Sequence, residues 1–220
     1  MMTSKSLGTM EDAYDSPPWW YDIRGLFILT FAYNDTLWRQ VRFFSGHIGD
    51  NHLDVACGTG SLLDLAYRYR QMSGRVNNRI TGIDYAQAML VGAVRRFRKR
   101  GNVAFHQADA AAMPFDDCAF DAATILNSLH ALPDPAGALR DIHRVLKPQG
   151  TLAANILLQP EGTGLLARFA NRINRWGQKK GILNRAYRID EVERLLLDAG
   201  FAIRESFRKG NCFYVLSDKP

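Results

Sequence analysis

Three aspartates at the ends of predicted strands have the spacing of a ligand site. Asp54 comes just before a glycine loop, Asp84 lies 24 residues beyond Gly60, and Asp109 lies just past the third predicted strand. Open α/β sheets bind ligands at the carboxyl ends of their strands, and an acid that ends the second strand accepts hydrogen bonds from ribose hydroxyls. Asp109 is placed to accept a hydrogen bond from an adenine amino group. The three acids therefore predict a nucleoside site.

The glycine loop after Asp54 narrows the class of nucleoside. Gly58 and Gly60 permit a tight turn and let a ligand approach the backbone closely. A dinucleotide site requires GxGxxG, and Leu63 stands where the third glycine belongs. A phosphate loop would require GxxxxGK[ST], which the chain lacks. The loop therefore predicts a nucleoside with little phosphate, and the carboxylate of Asp54 suits a cationic or amino-bearing ligand.

Short apolar runs alternate with amphipathic segments, which predicts βαβ units and a mainly parallel sheet. Gly200 ends the last predicted helix, and the alternating segments 201–208 and 212–216 predict an antiparallel hairpin. We expect one α/β domain over residues 1–220, with a doubly wound seven-stranded sheet in three layers. The other strands are expected at about 51–56, 79–84, 102–107, 120–126 and 150–158, and the helices at about 60–72, 86–100, 134–146 and 190–199.

Composition and cysteine usage argue against several classes of protein. The 220 residues are 47% hydrophobic and 23% charged, as in soluble globular domains. Cys57, Cys118 and Cys212 form no CxxC pair, and no histidines and cysteines have the spacing of zinc ligands, so we expect no disulfide framework and no metal. Residues 1–15 lack the apolar core of a signal peptide, and the apolar run 26–33 is too short to span a bilayer. We therefore expect a cytoplasmic protein.

The glycine loop and the segments after it resemble, in order, the motifs of class I S-adenosylmethionine-dependent methyltransferases. The match extends over about residues 50–158, and ordered motifs are far more specific than one glycine loop. The small-molecule branch, with its quinone and phospholipid methyltransferases, is the most similar. The resemblance implies a Rossmann-like fold, S-adenosylmethionine as cofactor, S-adenosylhomocysteine as product and no metal. The segments are LDVACGTGS, GIDYAQAML, QADAAAMPF and FDAATILNSLHALPDP, followed by LRDIHRVLKPQGTL.

The resemblance also assigns cofactor contacts residue by residue. Without it, Met89 would be taken for a core residue, and Cys57 for a space-filling thiol with no paired base. With it, the methionine end is expected to be held by Asp54, Gly58 and Gly60, with Cys57 in the loop, and the ribose by Asp84. The resemblance places Tyr85 or Met89 against the face of the adenine, Asp109 and Ala110 at its edge, and Asn127 beneath the sulfonium.

Three side chains are candidates for a general base: His130 after the fourth strand, and Tyr14 and Tyr21 near the start of the chain. The alternative for His130 is a structural role. A base is required only when the acceptor must lose a proton to react. The lack of an obvious base therefore does not argue against methyl transfer.

Two segments are expected to cover the substrate side of the sheet. One is an aromatic-rich helical leader over residues 14–44, and the other is an insertion over residues 161–188. The insertion has seven basic residues and one acid, whereas the rest of the chain has 21 of each. Residues 165–179 are expected to form a helix with basic side chains at 168, 172, 175 and 179 beside an apolar stripe. Such a helix suits an anionic amphiphile or an anionic membrane, unless the stripe packs on the domain and the basic side chains face water.

These observations predict methyl transfer to a small-molecule acceptor that is bulky, apolar or anionic, with peripheral contact to an anionic membrane. The alternatives are a nucleic-acid or protein methyltransferase, which only the basic segments support, and a cofactor-binding module without catalysis. The run Arg95 to Arg100 ends a predicted helix, where the helix dipole favours cations. We interpret it as a solvated helix end, with nucleic-acid contact as the lesser alternative. The acceptor atom and the oligomeric state stay open.

Overall fold

The computed structural model describes residues 33–75, 79–161, 165–179 and 183–220. Tyr14, Tyr21 and the leader up to residue 32 lie outside the described residues, as do residues 162–164 and 180–182 of the predicted insertion. No helix in the described part of the chain is long and apolar enough to cross a membrane.

Seven strands form one mixed sheet. In the order β3-β2-β1-β4-β5-β7-β6, the first five are parallel, whereas β7 is antiparallel to both β5 and β6. This arrangement confirms the predicted α/β fold with its C-terminal hairpin. The strands are β1 Asn51–Val55, β2 Arg79–Asp84, β3 Val103–Gln107, β4 Phe120–Leu126, β5 Leu146–Leu157, β6 Ala202–Lys209 and β7 Cys212–Asp218.

Six helices are described, and their starts follow capping chemistry. Thr36 Oγ1 accepts a hydrogen bond from the backbone N–H of Arg39 at the start of the first helix. Asp134 caps the fourth helix through Gly137 N at 2.8 Å, with Pro135 at the first helical position, where its fixed φ suits the turn. The helices are α1 Leu37–Gly46, α2 Ser61–Met72, α3 Gln87–Phe97, α4 Pro135–Val145, α5 Leu165–Lys179 and α6 Ile189–Asp198.

The helices cover both faces of the sheet and give three layers. On one face, Phe44 of α1, Leu63 of α2 and Phe97 of α3 belong to one apolar cluster. On the other face, Leu139 of α4 and Leu196 of α6 pack with the inward side chains of β1, β4 and β5. The two helix layers are therefore α1–α2–α3 and α4–α6.

The leader and the insertion meet near one end of β5 and β7. Tyr33 and Leu183 belong to one buried cluster with Tyr214, and the half-buried Ile173 of α5 packs against it. Ala170 of α5 is also buried. The described part of α5 thus places one face on the domain.

The strand order reverses between β1 and β4, because β2 and β3 extend the sheet to one side and β4 and β5 to the other. Connections that leave β1 and β4 diverge at such a point, which opens a crevice at the carboxyl ends of the strands. Asp54 and the glycine loop stand at the end of β1, and Asn127 directly follows β4. The topology itself brings these predicted residues to one edge.

Candidate active site

An open cleft lies at this edge of the sheet. It is walled by the ends of β1, β2 and β4 and by the loop after β3. Its lining is mostly apolar, with five residues that carry polar side-chain groups: Asp84, Tyr85, Asp109, Asn127 and Ser128. The lining residues are Ala56, Gly58, Ile83, Asp84, Tyr85, Ala86, Met89, Ala108, Asp109, Ala110, Asn127, Ser128, Ala131, Leu132 and Pro133.

The loop after β1 depends on left-handed backbone conformations. Gly58 and Gly60 have φ of 56° and 67°, and Ala56 has φ of 53°, which is costly for a residue with a Cβ. A Cβ on Gly60 would also lie 3.1 Å from the ring of Phe97 in α3. Glycine at position 60 therefore serves both the turn and the close approach of α3.

Asp84 at the end of β2 fastens this loop to the second strand. Its Oδ2 accepts a hydrogen bond from Gly58 N at 2.8 Å, and its Oδ1 accepts one from Ala86 N at 2.9 Å. Burial raises the pKa of the carboxyl, and these N–H donors partly offset that effect. A carboxylate oxygen can accept more than one hydrogen bond, so Asp84 can hold the loop and also receive ribose hydroxyls.

Asp109 lines the cleft beside apolar neighbours. Asp109 Oδ1 accepts a hydrogen bond from Ala111 N at 2.9 Å, which fixes the carboxylate beside the cleft. Met89 is 1% exposed, and Met89, Ala110 and Leu132 supply apolar surface to the same cleft. An acceptor next to an apolar slot suits a flat ring that carries an amino group.

Asp54 lies behind the loop and does not line the cleft. Its side chain is completely buried, with Oδ1 accepting a hydrogen bond from Thr124 Oγ1 at 2.8 Å. Its Oδ2 is buried without a partner among the described residues. Burial raises the pKa of Asp54 to about 7, the Thr124 bond opposes that rise, and the charge of Asp84 adds to it. A buried carboxylate oxygen without a partner is the feature that a bound amino group would satisfy.

A buried relay leads from His52 to Asp54. His52 Nδ1 lies 3.4 Å from the Gly49 N–H that donates to it, so Nε2 carries the hydrogen and donates to Thr124 Oγ1 at 2.9 Å. Thr124 in turn donates to Asp54. Burial lowers the pKa of His52 to about 3, with the charge of Arg70 acting in the same direction. His52 is therefore neutral and orients Thr124.

Cys57 also lies behind the loop. Burial raises the pKa of its thiol well above the ordinary value, and the charges of Asp84 and Asp54 act in the same direction. Its Sγ would lie 3.1 Å from a Cβ on Gly82, so Cys57 fills space against β2. A thiol in this state is a poor nucleophile.

Asn127 adopts φ of 54° and is held by two other amides. Asn155 on β5 accepts from Asn127 N at 2.7 Å and donates to Asn127 Oδ1 at 2.6 Å. Gln40 on α1 donates to the same Oδ1 at 3.2 Å and accepts from Asn127 Nδ2 at 2.9 Å. Gln40 and Asn155 are both completely buried. This network fixes the cleft wall at the end of β4.

His130 does not line the cleft. Its Nδ1 accepts a hydrogen bond from Leu157 N at 3.3 Å, so Nε2 carries the hydrogen and donates to the hydroxyl of Tyr33 at 2.8 Å. Burial lowers its pKa to about 3. With both nitrogens engaged inside the protein, these contacts suit a structural role, and the general base predicted at His130 gains no support from them.

Seven of the ten predicted cofactor residues line one cleft, whereas Asp54, Cys57 and Gly60 support the loop from behind. Gln40, Asn155 and Thr124 are not among the residues that the sequence motifs predict. Gln40 carried a signal, because an amide among aromatic residues of a predicted helix is out of place unless it is paired. In the described part of the chain, no three His, Cys, Asp or Glu side chains form a group able to hold a metal ion.

The comparisons with known proteins show what the chain is similar to. Residues 53–154 match the family model described as a methyltransferase domain. Over these residues the chain is similar to the methyltransferase family. The matched segment spans the glycine loop, Asp84, Asp109 and Asn127, which are the residues that build the cleft. The predicted resemblance is thereby confirmed.

Several quinone and antibiotic methyltransferases are similar in sequence. The 2-phytyl-1,4-naphtoquinone methyltransferase of Synechococcus elongatus is 34% identical over 146 residues, 64% of this chain and 60% of that protein. The 27-O-demethylrifamycin SV methyltransferase of Amycolatopsis mediterranei is 35% identical over 156 residues, 69% of this chain and 54% of that protein. The chain spans about half the length of the curated relatives it matches, for example 48% of the ubiquinone/menaquinone biosynthesis C-methyltransferase of Bdellovibrio bacteriovorus.

Solved structures share the fold. An S-adenosylmethionine-dependent methyltransferase from Aquifex aeolicus superposes with a TM-score of 0.66 at 21% identity, over 94% of this chain and all of that one. The cyclase SpnF superposes with a TM-score of 0.65 at 24% identity, over 83% of this chain and 80% of that one. Because a cyclase shares this fold, the fold alone does not specify methyl transfer.

Proposed function

We propose that the chain transfers a methyl group from S-adenosylmethionine to a small-molecule acceptor that is bulky and apolar or anionic. The observation that carries the proposal is the position of Asp84 and Asp109, which line one mostly apolar cleft together with Met89. The glycine loop closes that cleft without any phosphate-binding group. This set of groups fits a nucleoside whose reactive end is not a phosphate.

The donor supplies a methyl group that its positive sulfur already activates. The protein has to hold this donor and align it with the acceptor. Asp84 would receive the ribose hydroxyls, and Asp109 would receive the adenine amino group beside Met89 and Ala110. The buried Oδ2 of Asp54 would favour an amino group at the end of the glycine loop. Asn127, held by Gln40 and Asn155, would bound the reacting end.

The proposed acceptor class rests on the exposed side chains of α5 and on the names of similar proteins. The described part of α5 exposes four basic side chains and the half-exposed Trp176, while Ala170 faces the domain. Quinone and rifamycin substrates in the names of similar proteins are large and mostly apolar. We propose an acceptor of this kind, presented to a cytoplasmic enzyme in peripheral contact with an anionic membrane. The exposed basic residues of α5 are Arg168, Arg172, Arg175 and Lys179.

Calorimetry with S-adenosylmethionine and S-adenosylhomocysteine tests the cofactor half of the proposal. Wild type is expected to bind both, and Asp84→Ala is expected to weaken both at least ~10-fold because charge-assisted hydrogen bonds are lost. Asp198→Ala, on the exposed end of α6, is the matched control and is expected to bind as wild type does. A melting curve without ligand separates loss of contact from loss of the loop, since Asp84 also holds Gly58.

Methyl transfer is then tested with radiolabelled donor and a panel of quinol, phospholipid and polyketide acceptors. Turnover on one of these acceptors would support the proposal. Turnover only on RNA, DNA or protein would replace it with the second class of methyltransferase. Tight cofactor binding without turnover on any of them would favour a binding module.

A further inference from the structure

The outer face of α3 combines exposed apolar side chains with arginines. Val91 and Val94 are 50% and 55% exposed, and Arg95 and Arg98 are also exposed. These four residues stand at i, i+3, i+4 and i+7, which places them on one side of a helix. Val91 and Val94 stand one helical turn apart, so their exposed side chains are neighbours on the helix surface.

The neighbouring helices of the same layer repeat this pattern. On α2, Leu65, Arg68 and Met72 stand at i, i+3 and i+7, all are exposed, and Met72 is 87% exposed. On α1, Trp38 is 58% exposed one helical turn before the exposed Arg42. The ring of Trp38 also meets the ring of Tyr69 edge-on at 5.1 Å, which ties α1 to α2. Three adjacent helices thus present apolar and basic side chains on one outer face.

Charge is segregated between the two helix layers. Helices α1, α2 and α3 contain six arginines and one acid, Asp64, which is 4% exposed and paired with Arg68 and Arg100. Helices α4 and α6 contain three arginines and five acids. The outer face of the first layer therefore offers no exposed carboxylate within its helices. The six arginines are Arg39, Arg42, Arg68, Arg70, Arg95 and Arg96.

We propose that the outer face of α1, α2 and α3 docks on an anionic phospholipid bilayer. Arginines meet the negative headgroups, while Trp38, Met72 and the two valines of α3 enter the boundary between headgroups and acyl chains. The mixture of arginines and exposed aliphatic side chains favours a lipid surface over nucleic acid. Binding to nucleic acid is strengthened by cations and by stacked aromatic rings, whereas aliphatic side chains add little to it. The inference assigns the proposed membrane contact to a face outside α5, and it does not depend on methyl transfer.

Vesicle flotation of the full chain without cofactor tests this assignment. Wild type is expected to float with vesicles of equal parts phosphatidylglycerol and phosphatidylcholine and to stay behind with phosphatidylcholine alone. Arg95→Glu/Arg98→Glu is expected to weaken binding at least ~10-fold, since two cations near the surface are reversed. Val91→Ser/Val94→Ser removes apolar surface without changing charge and is expected to weaken binding roughly 5-fold or more.

Two matched variants locate the contact. Arg140→Glu/Arg194→Glu makes the same charge change with exposed arginines of α4 and α6, and it is expected to float as wild type does. Equal loss in that variant would show general charge attraction and overturn the assignment. Loss of vesicle binding only in Arg172→Glu/Arg175→Glu would place the membrane contact on α5 and would also overturn the assignment.

The remaining outcomes also decide the matter. Failure of wild type to float with the anionic vesicles would overturn the inference, as would tighter binding to an RNA oligonucleotide that the two serine substitutions leave unchanged. Calorimetry with S-adenosylhomocysteine on the same variants is expected to match wild type. Failure of cofactor binding would therefore be seen separately from failure of lipid binding.

Discussion

The side-chain amides of Gln40 and Asn127 exchange two hydrogen bonds, Nε2 to Oδ1 at 3.2 Å and Nδ2 to Oε1 at 2.9 Å. Gln40 belongs to α1, outside the matched segment 53–154, whereas Asn127 lines the cleft. A helix of the leader is therefore joined to the cleft by a partly buried polar contact. Ligand binding and the order of α1 should be coupled through it.

Gln40→Met is expected to break this coupling. Methionine has nearly the shape of glutamine but leaves the Asn127 amide without one partner, at a cost of about 1–3 kcal/mol. Affinity for S-adenosylhomocysteine should fall roughly 5- to 50-fold by calorimetry. Hydrogen exchange should show that ligand protects the amides of residues 37–46 in wild type and not in the variant.

Gln71→Met is the matched control, because Gln71 is exposed on α2 and does not line the cleft. It is expected to keep both the affinity and the protection. A Gln40→Met variant that melts earlier but binds the ligand as wild type does would contradict the coupling and leave Gln40 a structural residue.

Asp109→Asn tests the adenine slot with little change to the fold. The Asn amide oxygen can still accept from Ala111 N, which Asp109 Oδ1 does at 2.9 Å. The second carboxylate oxygen becomes a donor and meets the adenine amino group with the wrong polarity. Affinity for S-adenosylhomocysteine should fall roughly 10-fold or more by calorimetry. Asp116→Asn, at an exposed position, is expected to change nothing, and an unchanged affinity in Asp109→Asn would remove Asp109 from the site.

The sequence predicted the elements more fully than their contacts. Strand β2 and helix α5 have the predicted bounds, because apolar periodicity and turn residues mark them locally. Strand β5 begins at residue 146, four residues before its predicted start, because Leu146 pairs with Phe120 ahead of a bulge. Local patterns carry no information about that pairing.

The residues of the site also divide into those whose positions the sequence predicts and those whose contacts it does not. The glycine loop, Asp84 and Asp109 follow strand ends, so their convergence follows from the topology of a parallel sheet. The contacts between Gln40 and Asn127 join residues that are 87 positions apart, so no local spacing along the chain predicts them. The same limit applies to charge. Outside residues 161–188 the chain has 21 basic and 21 acidic residues, and only the fold separates them into two unlike layers.

Asp54→Asn is expected to stabilise the protein and weaken ligand binding. The pKa of Asp54 is about 7 in the folded protein and near its ordinary 3.8 when unfolded, so the unfolding free energy contributed by this group falls as pH rises from about 4 to 7. At pH 8 the free energy of unfolding of the variant should therefore exceed that of wild type by about 1–4 kcal/mol in a denaturant titration. It should bind S-adenosylmethionine more weakly, because the Asp54 carboxylate is lost. A variant less stable than wild type at pH 8 would contradict the inference that the charge of Asp54 is uncompensated in the folded protein.

Acid should destabilise the fold through its two buried histidines. His52 and His130 have pKa values of about 3 in the folded protein, because burial disfavours the imidazolium, against 6.5 ordinarily. Between pH 6.5 and pH 3 the unfolded chain binds protons that the folded one excludes, so the free energy of unfolding falls as pH falls. From pH 6.5 to pH 5 each histidine should remove about 2 kcal/mol, and Asp54 opposes one of these losses. Denaturant titrations at the two pH values should show that His130→Gln lessens the loss by one histidine's share, while His106→Gln, at an exposed position, leaves it unchanged. An equal loss in His130→Gln and wild type would mean that His130 takes up its proton inside the folded protein, and the bonds to Tyr33 and Leu157 would then have to rearrange.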